Sequence, residues 1–255
     1  MNAPHAEWTK LRTLPSTWWL LLAAVVLPAA VSALTAGSLS TEHCRAPDGC
    51  HEDIVKQSLT GVWAGQAAVV VLAVLTMSGE YGTGTIRTSL TAVPGRARLL
   101  AAKAGVLSAV VAAAAAPAVL GSLLAGRALL PGSGFTPYSL TDGSTVRAGV
   151  GTVLYLVLVA LFSLGVATLL RDTAGSVTLV LGLLYAFPLF SEVVTDPRWV
   201  ERLQRVGPGS AGLAIQATTD LHLQPIAPWS GLAVLAGYAV GALLVGWTSL
   251  RLRDA

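Results

Sequence analysis

The chain has 255 residues, 54% of them hydrophobic and only 11% charged, with a mean hydropathy of +0.68 and a formal net charge of +3. Soluble domains carry roughly 25% charged residues, so this composition excludes a water-soluble globular class. An all-α polytopic membrane protein is expected, with no nucleic-acid partner.

A charge at a helix centre costs about 2.5 to 3.5 kcal/mol on insertion scales, so charge-free runs locate the spans. Six are long enough: Thr13 to Thr41, Gln57 to Gly79, Ala104 to Gly126, Ala148 to Leu170, Thr173 to Ser191 and Leu221 to Leu250. They predict one transmembrane domain over residues 1–255, with six helices near 18–38, 58–79, 104–126, 148–170, 173–191 and 229–250. Ahead of the first run, EWTKLRTLPSTWW (Glu7 to Trp19) reads as a short interfacial helix. Trp8 and Leu11 fall on one face, Lys10 near the headgroups, Arg12 in the same turn, and Pro15 halts it before Trp18 and Trp19 anchor the span. A frayed tail with anchoring aromatics is the plainer alternative. The first apolar stretch is longer than a signal-peptide core, and a retained span is expected.

Basic residues set the orientation. Lys10, Arg12, Arg87, Arg96, Arg98, Lys103, Arg171, Arg251 and Arg253 crowd short segments on the side of the termini. Arg45, Lys56, Arg127, Arg147, Arg198, Arg202 and Arg205 are spread over longer loops opposite. Both termini are therefore expected in the cytoplasm, in a multi-pass protein of the plasma (inner) membrane.

The first outside loop holds EHCRAPDGCHED and the chain's two cysteines. Cys44 and Cys50 flank a Pro-Asp-Gly turn and could close a small disulfide in an oxidising compartment. His43 and His51, set in mirror fashion beside them, allow a zinc reading, although adjacent His-Cys pairs rarely aim both side chains at one metal. Free thiols are the third possibility.

The spans contain no interior Asp, Glu, Lys or Arg, and His222 sits in the loop portion before Trp229. Ion-coupled transport needs ionisable groups at depth, embedded haem needs axial ligands, and an intramembrane serine protease needs a base. All three are disfavoured. Pro28, Pro117 and Pro188 fall inside spans, where each frees a carbonyl and bends its helix. Gln66 and Ser163 are polar enough to bond between helices.

The longest segment between spans on the terminal side is SGEYGTGTIRTSLTAVPGRARLLAAK, residues 78–103. Ile86, Leu90 and Val93 recur at helical spacing, Thr83 or Thr85 can cap the start, and Pro94 and Gly95 end it in a turn. Arg96, Arg98 and Lys103 suit the phosphate region at the start of the third span. This predicts a short amphipathic helix under the membrane, resting on lipid or on a partner. Gly82 and Gly84 make no phosphate loop, because the Lys-Ser/Thr of a Walker A sequence is missing.

From Glu80 to Lys103, EYGTGTIRTSLTAVPGRARLLAAK resembles the cytoplasmic loop of actinobacterial-style ABC transporter permeases of the type-2 exporter class, in an acidic residue, a Gly-Thr-Ile-Arg core, a Pro and a terminal Ala-Lys. EWTKLRTLPSTWW resembles that family's N-terminal elbow helix, and GPGSAGLAIQ (Gly207 to Gln216) is similar to the segment before its last span. Gly82 departs from the pattern, standing where a basic residue is common.

The resemblance implies a non-enzymatic membrane subunit of an ATP-driven exporter, with no cofactor of its own and with ATP and Mg on a separate ATP-binding cassette subunit. A second copy or a paralogous permease would complete the pathway within the lipid bilayer. Residues 80–93 would be the coupling helix, with Glu80, Tyr81, Thr85, Ile86, Arg87, Leu90 and Pro94 facing the ATPase, and Glu80 pairing with the partner or with Arg87. The competing class is a structural, accessory or immunity membrane protein that keeps the fold without moving substrate.

Overall fold

The computed structural model of the protein describes residues 3–38, 53–85, 95–129 and 138–253. Among the described residues the regular structure is entirely helical. Helix α1 (Ala3–Thr13) lies at the start, followed by α2 (Pro15–Ser38), a single turn α3 (Ile54–Ser58) and α4 (Val62–Gly82). Then come α5 (Arg96–Leu129), α6 (Gly143–Leu170) and α7 (Thr173–Val193). Two short helices, α8 (Pro197–Val206) and α9 (Pro208–Leu213), lead through a 3-10 turn at Ala214–Gln216 to α10 (Pro228–Arg253).

Six of these, α2, α4, α5, α6, α7 and α10, are long and apolar enough to cross a membrane. The chain is a multi-pass membrane protein. Each span contains its own backbone hydrogen bonds, as a hydrocarbon environment demands. The central pair is α4 and α6, the most deeply buried of the six, while α2, α7 and α10 turn much of their surface outward. Leu22, Leu34, Leu189, Phe190, Val240 and Leu244 are exposed there, as lipid-facing side chains should be.

Apolar attraction between helices is weak inside lipid, so close backbone approach through small residues carries the packing. Pro28 sits within α2 and the helix continues through it. Its ring and carbonyl press on α4, where a Cβ on Gly61 would come 1.9 Å from the Pro28 carbonyl oxygen and one on Gly65 would come 2.4 Å from Pro28 Cγ. Ser32 Oγ accepts from Gly61 N at 3.1 Å beside this contact. The expected start of the second span near residue 58 is therefore corrected: α3 ends at Ser58, and α4 begins only after the Gly61 crossing. Gly165 on α6 meets Ala242 and Leu243 of α10 in the same way, with a hypothetical Cβ 2.5 Å from the Ala242 carbonyl carbon.

Gln66 and Ser163 part ways. Gln66 Oε1 accepts a 2.5 Å hydrogen bond from the fully buried Tyr155 hydroxyl, joining α4 to α6. Ser163 instead donates to the Val159 carbonyl one turn back on its own helix, at 2.7 Å.

The loop between α7 and α10 is more ordered than its sequence suggested. Asp196 caps α8 by accepting from Arg198 N, and Pro197 stands in the first turn, where it lacks only an orphan donor. Residues 207–216 then fold inward, so that Ala211, Ile215 and Gln216 are buried among α6, α7 and α10.

Candidate functional site

The two termini share one end of the bundle, called the terminal end below. There the Arg96 guanidinium donates to the Arg251 carbonyl at 3.0 Å, and α1 packs against the start of α5. Helix α5 starts at Arg96, eight residues before the run that predicted it, because charges exclude a segment from hydrocarbon without ending its helix. Lys103 consequently lies one to two turns inside α5 and is 3% exposed. The expected place for it among phosphates is corrected accordingly.

Lys103 is saturated by protein. Its Nζ donates to Glu7 Oε2 at 2.7 Å, to Glu80 Oε1 at 2.7 Å and to the Thr76 carbonyl at 3.2 Å. Lys10 closes the figure from the outer side, with Nζ 3.1 Å from Glu7 Oε1 and 2.7 Å from Glu80 Oε1. Two acids and two bases thus balance in one cluster, with Glu7 and Lys10 from α1, Glu80 from α4 and Lys103 from α5. Burial pulls the Lys10 ammonium down, but the hydrogen bond and charge of Glu80, followed by those of Glu7, outweigh it and hold the pKa above its ordinary value.

Glu80 therefore finds its basic partners within the chain, on Lys10 and Lys103. One oxygen does all of this work: among the described residues Glu80 Oε2 has no hydrogen-bond partner, although it is buried.

The neighbouring Tyr81 and Ser78 tie α4 to the α6–α7 turn. Arg171 ends α6 with a left-handed backbone (φ 61), and its guanidinium lies 5.0 Å from the Tyr81 ring centroid. Its Nη2 also donates to the Ser249 carbonyl at 3.3 Å. Asp172 caps α7 by accepting from Gly175 N at 2.6 Å, and Thr173 Oγ1 lies 2.8 Å from Ser78 Oγ. Arg171 and Asp172 alone form the turn between α6 and α7.

Family models and curated proteins give no match to this chain. What the site does must be read from its own residues.

Of the residues singled out in sequence, Lys10 and Glu80 meet in the cluster, Tyr81 faces Arg171 instead, and Thr85 follows α4 with its hydroxyl 2.9 Å from that of Thr83. In α1, Leu11 is buried whereas Trp8 is half exposed, so the two do not share one environment. Arg12 offers its carbonyl to Trp18 Nε1 at 3.1 Å, bracing the bend between α1 and α2. Ile86, Arg87, Leu90 and Pro94 lie outside the described residues, as do His43, Cys44, Cys50 and His51. Among the described residues no group of three metal-ligating side chains comes together.

Glu7 was missed in sequence, where it marked only the start of the EWTKLRTLPSTWW stretch. Its only available signal was helical: Glu7 and Lys10 are three residues apart and share a face of α1. The cluster's ion pairs tie α1 to α4 and α5, the helices before and after residues 83–95.

Proposed function

We propose that this chain is the membrane-spanning subunit of an ATP-driven exporter of the type-2 ABC class, working with a separate ATP-binding subunit that docks under residues 80–93. The observation that carries this reading is the double anchorage of that loop. The helices on its two sides, α4 and α5, are both tied to α1 through Glu80 and Lys103. A force on the loop would then move the α1 elbow and two spans together, which is what transmission from a closing ATPase requires. Coupling of this kind also needs a contact that differs between states. Ile86 and Leu90, four residues apart in the sequence's apolar pattern, are assigned that contact, with Arg87 and Pro94 beside them.

In this reading both termini are cytoplasmic in the plasma membrane, in line with the higher density of basic residues on that side. A second copy or a paralogous permease completes the pathway. ATP and Mg belong to the partner.

The test is a double substitution, Ile86→Asp with Leu90→Asp, in the permease co-expressed with a candidate ATP-binding subunit, one that carries a Walker A motif. Insertion of the permease should persist, because the loop lies outside the spans, while co-purification of the ATPase and transport-linked hydrolysis should be lost. Unchanged binding and hydrolysis would favour the accessory-protein reading.

A further inference from the structure

Helix α8 has two sharply different sides, yet none of its residues is buried by the bundle. Trp199, Leu203 and Val206 recur at i, i+4 and i+7 with Val200 beside them, while Arg198, Glu201, Arg202 and Arg205 take the other side. Val200 and Leu203 are half covered where α8 leans on α7 and α9. Trp199 and Val206 stay more than half exposed.

The position of α8 in the chain says what lies against that stripe. Helix α7 starts at the terminal end, where Thr173 meets Ser78, so Val193 and the helix that follows it lie at the far end. Leu189, Phe190 and Val193 are exposed on the last turns of α7, and only Val194, Thr195 and Asp196 separate them from α8. The apolar side of α8 thus continues a lipid-facing surface. Trp229, in the first turn of α10, is also exposed at that end, because α10 runs from there back to Arg251 beside Arg96. Tryptophans at the ends of spans mark the boundary between hydrocarbon and headgroups.

The polar side suits the same boundary. Glu201 and Arg205 pair at 2.5 Å, and Arg205 Nε donates to the Pro225 carbonyl at 2.7 Å, so this arginine braces α8 against the segment before α10. The Arg202 guanidinium lies 5.4 Å from the Trp199 ring centroid. Among the described residues neither Arg198 nor Arg202 has a carboxylate partner, and both are exposed. A guanidinium grips two phosphate oxygens at once, and its long stem can lie along apolar surface while the charge stays with the headgroups. Basic residues at the end opposite the termini run against the usual bias, and lipid phosphate gives them a role.

We infer that α8 is a membrane-docking helix that lies in the headgroup layer of the far leaflet, with Trp199 and Val206 at the edge of the hydrocarbon and Arg198 and Arg202 on the phosphates of anionic phospholipid. The inference concerns the chain alone and does not rest on the exporter reading.

The experiment uses the purified full-length chain without any ATPase, with Cys44 and Cys50 replaced by Ser, in nanodiscs of phosphatidylcholine with and without phosphatidylglycerol. A nitroxide spin label is attached through Val206→Cys or, on the opposite side, through Glu201→Cys. Its collisions are counted with oxygen, which concentrates in hydrocarbon, and with neutral nickel ethylenediaminediacetate, which stays in water. The oxygen-to-nickel ratio at Val206 should exceed that at Glu201 several-fold, and phosphatidylglycerol should raise it further. Arg198→Gln with Arg202→Gln should abolish that further rise without shifting the melting temperature, since α8 buries no side chain. Should this variant fail to fold, Trp199→Ser, which removes the apolar anchor instead, should lower the Val206 ratio. Equal ratios at the two positions, with free access to nickel, would put α8 in water and overturn the inference. Low collision rates with both reagents at Val206, together with a doubled particle mass, would mean that a second copy covers the stripe and would overturn it too. A ratio indifferent to phosphatidylglycerol and to the arginines would overturn the assignment to anionic lipid.

Discussion

Glu7 and Lys103, ninety-six residues apart in sequence, meet at 2.7 Å in the interior of the terminal end. With Lys103 withdrawn, Glu7 and Glu80 would face each other with only the half-exposed Lys10 between them. Removing one partner from a buried ion cluster costs about 3 to 5 kcal/mol. Lys103→Met is therefore expected to lower the thermal stability of the purified protein sharply. Adding Glu80→Gln should recover part of the loss by removing the excess negative charge. A double variant no more stable than the single one would mean that the cluster is not held by charge balance.

Much of this architecture was legible because a bilayer imposes one strong rule. Charge-free runs of about 20 residues found all six spans. The rule is silent about partners: nothing in the neighbourhood of Lys103 marks Glu7 as its counter-ion, and a lysine at the edge of a run reads equally well as a headgroup contact. It is also silent where a helix outlasts the hydrocarbon, as α5 does from Arg96. Helix α8 was missed for a different reason. Its Asp196 cap and Pro197 start were visible, but a segment with three arginines between two spans was absorbed into a loop. Residues 207–216, rich in Gly and Pro, owe their fold to the bundle around them, where a Cβ on Gly209 would lie 2.2 Å from the Leu184 carbonyl oxygen. No local pattern encodes that.

The α2–α4 crossing supplies a second prediction. Gly65→Ala puts a methyl group against the Pro28 ring, at a distance no real Cβ tolerates, and α2 must retreat. Overpacking of this sort costs about 1 to 3 kcal/mol. Gly105, whose Cβ would meet nothing within 4 Å, is the matched control: Gly105→Ala should be neutral or stabilise by up to about 1 kcal/mol through helix propensity. Melting curves of the two variants in the same detergent compare them directly, and equal shifts would remove the packing explanation.

Orientation can be read from two exposed leucines at opposite ends. Leu252 lies near the end of α10 beside the termini, and Leu223 lies in the segment before α10 at the far end; both are largely exposed. In a background with Cys44 and Cys50 replaced by Ser, Leu223→Cys should react in intact cells with a membrane-impermeant maleimide. Leu252→Cys should react only after permeabilisation. The reverse pattern would invert the proposed topology and place residues 80–93 out of reach of any cytoplasmic ATPase.

Lys10 separates holding the fold from transmitting force. Its side chain is 43% exposed, and its bonds to Glu7 and Glu80 are made at the rim of the cluster. Solvent screening limits such a pair to about 1 kcal/mol, so Lys10→Met should melt close to the wild type. Its pKa stands above the ordinary 10.5, because attraction from Glu80 and Glu7 outweighs the burial that opposes it. A group raised in the folded state contributes fully below its unfolded pKa and loses that contribution as pH rises through the folded value. The small stability difference between wild type and Lys10→Met should accordingly be flat from pH 6 to 9 and shrink only above about 10.5. Coupling is a different matter. Lys10 is the α1 residue that bonds Glu80 directly, beside the indirect link through Lys103, so the variant complex should keep its ATPase bound while transport-linked stimulation falls. A Lys10→Met complex with undiminished stimulation would show that α1 is an anchor only, and that force from the loop enters the bundle through Lys103 and α5.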